Sequence, residues 1–328
     1  MKSSLLIKKA KMKSKYLIDF LGLLLFKFVF FFIDYLPKAQ AKLICRTIIR
    51  TVILLIPRSK YVMHRNLQLL FPSMTTKERR EIIKKHQIVL ANTIYSFSQS
   101  KFLTKDKAKE ILDTSEVNDT INEIISNKSG TGYLFLVPHF GSFELLGQIW
   151  CILDRPLSIL ARGFGMPLLD SWWNKRREKF GNSIFSRKGG FSEVTKRLSA
   201  GGNVTILFDQ NVKRSHGIFA PFFGIEASTT KTVALASICT GAEIFVTAML
   251  PLEDGKYKLI VKRIQKPSNR AGDTDQQIRD TIIDANLALE EMVRASPEQW
   301  FLMHRRFKTR PLGENENFYD EVLYPVER

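Results

Sequence analysis

The stretch Tyr133-Leu134-Phe135-Leu136-Val137-Pro138-His139-Phe140-Gly141-Ser142-Phe143-Glu144-Leu145-Leu146 decides how this chain folds. Its first five residues form an unbroken apolar run of strand length, as expected of a strand buried on both faces. Pro138 and Gly141 mark a tight turn. Ser142 stands where a helix N-cap belongs, and Glu144 falls in the first helical turn. Strand, short turn and helix in that order make up the start of a crossover unit in an α/β sheet. His139 therefore lies at the carboxyl end of a buried strand, where open α/β sheets bind their ligands.

The same texture continues outward. Short β-rich runs at Leu157–Ala161, Val204–Phe208, Ile244–Leu250 and Tyr257–Lys262 alternate with helical patterns at Phe143–Leu153, Leu168–Phe180, Phe191–Ala200 and Thr232–Thr240. Such alternation predicts an α/β fold with crossover helices, and Glu253-Asp254-Gly255-Lys256 adds one hairpin-like antiparallel pair. Upstream, residues 60–109 read as polar helix, with Thr75 or Thr76 as an N-cap ahead of a long run. The boundaries that follow are 1–36 for a basic, apolar anchor, 37–110 for a helical membrane-proximal region, 111–312 for the α/β domain and 313–328 for a tail.

Within the first segment, Phe20–Ile33 is apolar except for Lys27 and is bracketed by Asp19 and Asp34. It is shorter than the ~20 residues that cross a bilayer comfortably. Lysines precede it, and Lys38, Lys42, Arg46 and Arg50 follow. Two basic flanks fit an anchor lying in one leaflet at least as well as a spanning helix. A buried helix with exposed arginines over Leu43–Ile56 is the alternative. No small-residue cleavage site precedes Pro37, which argues against a signal peptide. The segment is expected to be separable from the catalytic fold.

Lys and Arg total 50 against 32 acidic residues, a net charge of +18, which suits an anionic membrane, phosphorylated lipid, acidic protein or nucleic acid. Cys45, Cys151 and Cys239 show neither metal spacing nor a disulfide framework and read as buried thiols. No G-x-S-x-G, P-loop or zinc pattern occurs, and Gly130-x-Gly132 and Gly163-x-Gly165 lack the third glycine of a dinucleotide fingerprint. Neither a metal nor a redox cofactor is implied. Of the five histidines, only His139 follows an apolar strand and precedes a carboxylate. On one continuous helix, His139 and Glu144 would diverge by ~140°. With the histidine in the turn, however, the carboxylate can reach the imidazole, fix its tautomer and let the other nitrogen take a proton from a hydroxyl. The pattern by itself also describes a capping histidine followed by a first-turn glutamate.

Beyond these residues the chain resembles the late acyltransferases of lipid A biosynthesis, within the glycerolipid acyltransferase superfamily that carries an H-x4-D/E motif. The resemblance rests on His139 to Glu144, on Arg65-Asn66-Leu67 with Phe71-Pro72, and on Arg162 and Arg177 ahead of Gly181-Asn182. It continues through Asp209-Gln210, Gly217–Gly224 and Pro297-Glu298-Gln299-Trp300, and ends in His304–Pro311. It runs over residues 60–311. An alanine precedes Arg162 where such proteins often have an aromatic residue.

The resemblance implies a mixed sheet flanked by helices, an acyl-carrier-protein or coenzyme A thioester donor, and an anionic glycolipid acceptor. It further implies residence at a bacterial inner membrane with the catalytic domain on the cytoplasmic face. His139 would be the general base and Glu144 its partner. Arg162 and Arg177 would bind substrate, and Asp209 and Gln210 would shape the pocket. A mannosylated phosphoinositide or another glycolipid is the alternative acceptor. A non-catalytic membrane or nucleic-acid binder fits less well, since no nucleic-acid module is present.

Overall fold

A computed structural model describes residues 2–126, 130–153, 156–186, 189–315 and 317–319. The chain opens with helices α1 (Lys2–Tyr35), α2 (Lys38–Leu55), α3 (Pro57–Leu70), α4 (Thr76–Gln99) and α5 (Lys105–Glu110). Pro57 opens α3, where a missing amide leaves no helical bond unmade. Thr75, not Thr76, caps α4. Its hydroxyl accepts from the Glu78 amide at 3.3 Å while the Glu78 carboxylate accepts from the Thr75 amide at 2.7 Å.

Strand β1 (Leu112–Asp113) and helix α6 (Asn118–Ile125) lead into the alternating region. There β2 (Leu134–Val137), α7 (Phe143–Leu153), β3 (Leu157–Ala161), α8 (Pro167–Arg177), β4 (Ser183–Ser186), α9 (Gly190–Ser199) and β5 (Asn203–Leu207) follow in order. A hairpin of β6 (Gly217–Phe222) and β7 (Ile225–Thr230) comes next, then α10 (Thr232–Thr240), β8 (Ile244–Pro251), β9 (Tyr257–Ile264) and α11 (Thr274–Ala295).

Seven strands form one sheet in the order β1-β9-β8-β2-β5-β3-β4, in which only the β8–β9 pairing is antiparallel. The fold is the mixed α/β sheet that the alternation predicts, with the antiparallel pair at the Glu253–Lys256 turn. The sequence reading misses β1, β4 and the β6–β7 hairpin, which are short or broken by Pro221 and Gly224.

Strand β2 shows why the sheet is stable. All four of its residues are buried. Leu134 and Leu136 join one apolar cluster with Val194, Leu289 and Phe307, while Phe135 and Val137 join another with Leu146 and Trp150. Alternation with a period of two sends successive side chains to opposite faces, so helices must cover both. Replacing Leu136 by Ala would cost about 2–5 kcal/mol.

On the helical side, α1 packs against α8, α2 and α4. It is not a detachable appendage: Asp19, Phe30, Ile33 and Asp34 are buried against the rest of the chain. In α2, Ala41, Cys45 and Ile53 turn inward while Arg46 and Arg50 are exposed, as an amphipathic helix requires. The cysteines differ from expectation. Cys45 is buried and Cys151 partly so, whereas Cys239 is exposed near the end of α10.

Candidate active site

Parallel pairing of β2 with β5 sets Leu134 opposite Val204 and Val137 opposite Leu207. Carrying that register two residues further places His139 beside Asp209. The two strands leave the sheet together, and the side chains two residues beyond their ends meet. His139 Nδ1–H donates to Asp209 Oδ1 at 2.7 Å, and the Trp300 indole Nε1–H donates to Asp209 Oδ2 at 3.0 Å. The Gln210 amide donates to His139 Nε2 at 3.2 Å. This network fixes the tautomer. An ionised carboxylate only accepts, so the ring proton sits on Nδ1 and Nε2 keeps its lone pair.

The turn that carries His139 is clamped by backbone bonds. Its carbonyl accepts from the Phe301 amide at 2.9 Å, the Gly141 amide donates to the Gln299 carbonyl at 3.0 Å, and the Ser142 amide donates to the Met249 carbonyl at 2.8 Å. Gly141 has φ 58°, and a Cβ there would lie 2.3 Å from the Met249 carbonyl oxygen, so only glycine fits. Phe143 and Phe301 flank the imidazole with ring centroids at 5.0 and 6.0 Å.

Asp209 is 2% exposed. Burial by itself would raise its pKa, but the His139 charge and the hydrogen bonds from His139 and Trp300 outweigh burial and hold the carboxyl below its ordinary value. His304 lies nearby and accepts from the Asn211 amide through Nε2 at 2.8 Å. Burial pushes its pKa down to about 4, so it stays neutral.

Glu144 does not hold the imidazole. It stands in the first turn of α7, but its carboxylate takes a two-pronged grip from Arg177, with Nη2 to Oε1 at 2.5 Å and Nε to Oε2 at 3.0 Å. The physical reason is competition. A guanidinium fork offers two charge-assisted bonds where the imidazole offers one, and Asp209 already satisfies Nδ1 from the neighbouring strand. The sheet brings a partner that sequence distance conceals.

The Glu144–Arg177 pair is part-buried and lines a small cavity with Val137, Phe143, Ile159 and Thr205, beneath the carboxyl ends of β2, β5 and β3. Phe143 borders both this cavity and the imidazole. The Thr205 hydroxyl is buried there and has no hydrogen-bond partner among the described residues. Arg162 is exposed just past β3 and makes no ion pair among the described residues, so the six expected residues fall into a His139–Asp209–Gln210 group, a Glu144–Arg177 pair and Arg162 at the edge. Trp300 is the residue that sequence reasoning missed. Its only signal was its place in a recognised segment.

Residues 7–309 match the family described as bacterial lipid A biosynthesis acyltransferase. This chain belongs to that family. It is 29% identical over 265 residues to the lipid A biosynthesis lauroyltransferase of Escherichia coli strain K12, covering 78% of this chain and 81% of that one. To the palmitoleoyltransferase of the same organism it is 25% identical over 260 residues, covering 79% and 81% of the two chains. A lipid A biosynthesis acyltransferase of Haemophilus influenzae strain Rd is 24% identical over 256 residues, 76% of each. The chain is an acyltransferase of lipid A biosynthesis, as the resemblance implied.

Other segments that carry the resemblance serve as braces. The Asn66 amide donates to the Leu302 and His304 carbonyls at 2.7 and 2.8 Å, and Tyr319 donates to its oxygen at 2.6 Å. Arg306 is fully buried and donates to the Ser228 carbonyl at 2.9 Å and to Thr229 Oγ1 at 2.5 Å, which ties the 304–311 segment to β7. Asn182 accepts from the Leu157 amide at 2.9 Å and donates to the Gly147 carbonyl, joining β3 to α7. These acyltransferase segments hold the Trp300 loop against the site.

Proposed function

We propose that the enzyme moves a fatty acyl chain from an acyl-carrier-protein or coenzyme A thioester to a hydroxyl of a lipid A precursor, with His139 as general base. The observation that carries this reading is the His139–Asp209–Trp300 array at the open end of the sheet. It leaves a lone pair on Nε2, reached by displacing the Gln210 amide. His139 Nε2 takes the proton as the acceptor oxygen attacks the thioester carbonyl. The tetrahedral intermediate then expels the thiolate, which recovers that proton, leaving an ester and a free thiol. Asp209 stabilises the imidazolium formed between the two steps.

At the start of α7 the Leu145 and Leu146 amides donate to the Ser142 carbonyl at 3.0 and 2.9 Å, which leaves the Phe143 and Glu144 amides to supply positive potential for the carbonyl oxygen. Arg177, aimed by Glu144, and Arg162 bind anionic groups of the substrates. The site faces the cytoplasmic side of the inner membrane, where both thioester donors are made. An acidic carrier and a phosphorylated lipid both suit the +18 chain.

The test is acyl transfer by purified enzyme from a thioester donor to a lipid A precursor, read by mass spectrometry. Wild type adds one acyl mass, and His139→Ala loses roughly 10²–10⁴ in kcat. Full activity in a folded His139→Ala enzyme refutes the assignment.

A further inference from the structure

The apolar helix at the amino terminus has two unlike faces. Leu17, Leu21, Leu24, Phe28, Phe31 and Tyr35 are 47–63% exposed. Their spacing of four and three residues keeps them in one line along the helix. Asp19 on the opposite face, and Asp34 about a quarter turn off the stripe, are buried at 4% and 8% exposure.

Both carboxylates are bonded to α8. Asp19 accepts the amides of Leu168 and Leu169 at 2.9 and 3.3 Å, capping the first turn of α8. Asp34 accepts from Arg176 in the last turn of α8 at 3.1 Å, from Lys101 at 3.2 Å and from the Ser98 hydroxyl. Gly22 faces the flexible tip of the Met166 side chain, which a Cβ there would meet at 2.4 Å. The apolar segment Lys15–Tyr35 is thus strapped at both ends along a helix of the catalytic domain.

We propose that α1 lies flat in one leaflet of an anionic phospholipid bilayer, with the Leu17–Tyr35 stripe as its membrane face, and does not cross. To cross, it would have to take α8 with it, including Asp170, Asn174, Lys175 and Arg176, or strip two buried carboxylates of their partners. Either outcome puts charge into hydrocarbon without water. Lys27 is exposed on the helix flank, about a quarter turn from the stripe, where it can reach headgroups from an in-plane helix. In a spanning helix it would sit near the middle of the bilayer. Lys38, Arg46 and Arg50 are exposed on the adjoining α2 and complement anionic headgroups.

Spin labels placed at Leu17→Cys, Leu24→Cys and Phe31→Cys, each in a full-length chain carrying Cys239→Ser, test this in phosphatidylethanolamine–phosphatidylglycerol vesicles. Oxygen and a water-soluble nickel chelate report label depth. An in-plane helix gives three similar depths within one leaflet. A spanning helix spreads them over ~21 Å, with Leu24 deepest and the other two near opposite surfaces. That pattern overturns the proposal, as does full access of the nickel chelate to all three labels. Tags at the two chain ends should also be digested from the same side of sealed vesicles, and digestion from opposite sides refutes the in-plane arrangement. The readouts need no substrate, so their failure leaves the proposed acyl transfer untouched.

Discussion

Asp209→Asn isolates the tautomer that the site depends on. The amide has the size of the carboxylate but carries one acceptor and one donor group. The Trp300 indole can only donate, so it claims the amide oxygen. The NH2 group then faces His139 Nδ1, which must become the unprotonated nitrogen, and the ring proton moves to Nε2. A base cannot accept where it already holds a proton. The loss should match that of a general base, roughly 10²–10⁴ in kcat, or about 3–5 kcal/mol of barrier at about 1.36 kcal/mol per decade. Stability should change far less, by about 1–3 kcal/mol, because the Trp300 bond survives. Initial rates and Tm measured on the same preparation separate the two effects.

The variant has a pH signature as well. Because the Asp209 carboxyl is held below its ordinary value, its share of stability is present above the unfolded pKa of about 3.9 and disappears as pH falls through the folded value. Asp209→Asn should therefore flatten the acid end of the stability curve below about pH 4. A folded Asp209→Asn enzyme with wild-type kcat would refute the claim that Asp209 sets the tautomer.

Arg177→Lys should lower kcat/KM by more than tenfold with a small change in Tm, since an ammonium cannot copy the two-pronged contact with Glu144. A large loss of Tm with normal kinetics per folded molecule would move Arg177 to the scaffold. Burial pushes His86 and His304 down to about 4. The unfolded chain therefore takes up their protons first, and stability should fall as pH drops from about 6.5 towards 4, by up to about 3 kcal/mol for each ring. Denaturant midpoints for wild type and His86→Gln across that range check this, and identical pH slopes would contradict it. Deleting residues 1–36 should destabilise the remaining domain, because Arg176 loses a buried partner and α8 loses its cap, at a cost of about 3–5 kcal/mol for the broken ion pair alone. An unchanged Tm in the truncated protein would show that α1 adds nothing to the fold.

The sequence by itself determined the fold class, the place of His139 and the family, because each rests on local pattern. The run Tyr133–Val137 is apolar enough for a strand covered on both faces, Pro138 and Gly141 mark a tight turn, and Ser142 caps the helix that follows. Strings such as His304–Pro311 carry the family resemblance without any knowledge of their packing. Only the tertiary structure decided who partners whom. Glu144 stands five residues from His139 and binds Arg177, while Asp209 stands seventy residues away and binds the imidazole. Nothing in the sequence states that β5 is inserted between β2 and β3, yet that one adjacency puts Asp209 in register with His139. The same holds for α1. Its hydropathy reads as a membrane segment, but that it runs along α8 is set by Asp19 and Asp34, whose partners lie more than sixty residues away. Hydrogen-bond and ion-pair choices are contests among groups that meet only after folding, and the winner is the group with the better geometry at contact.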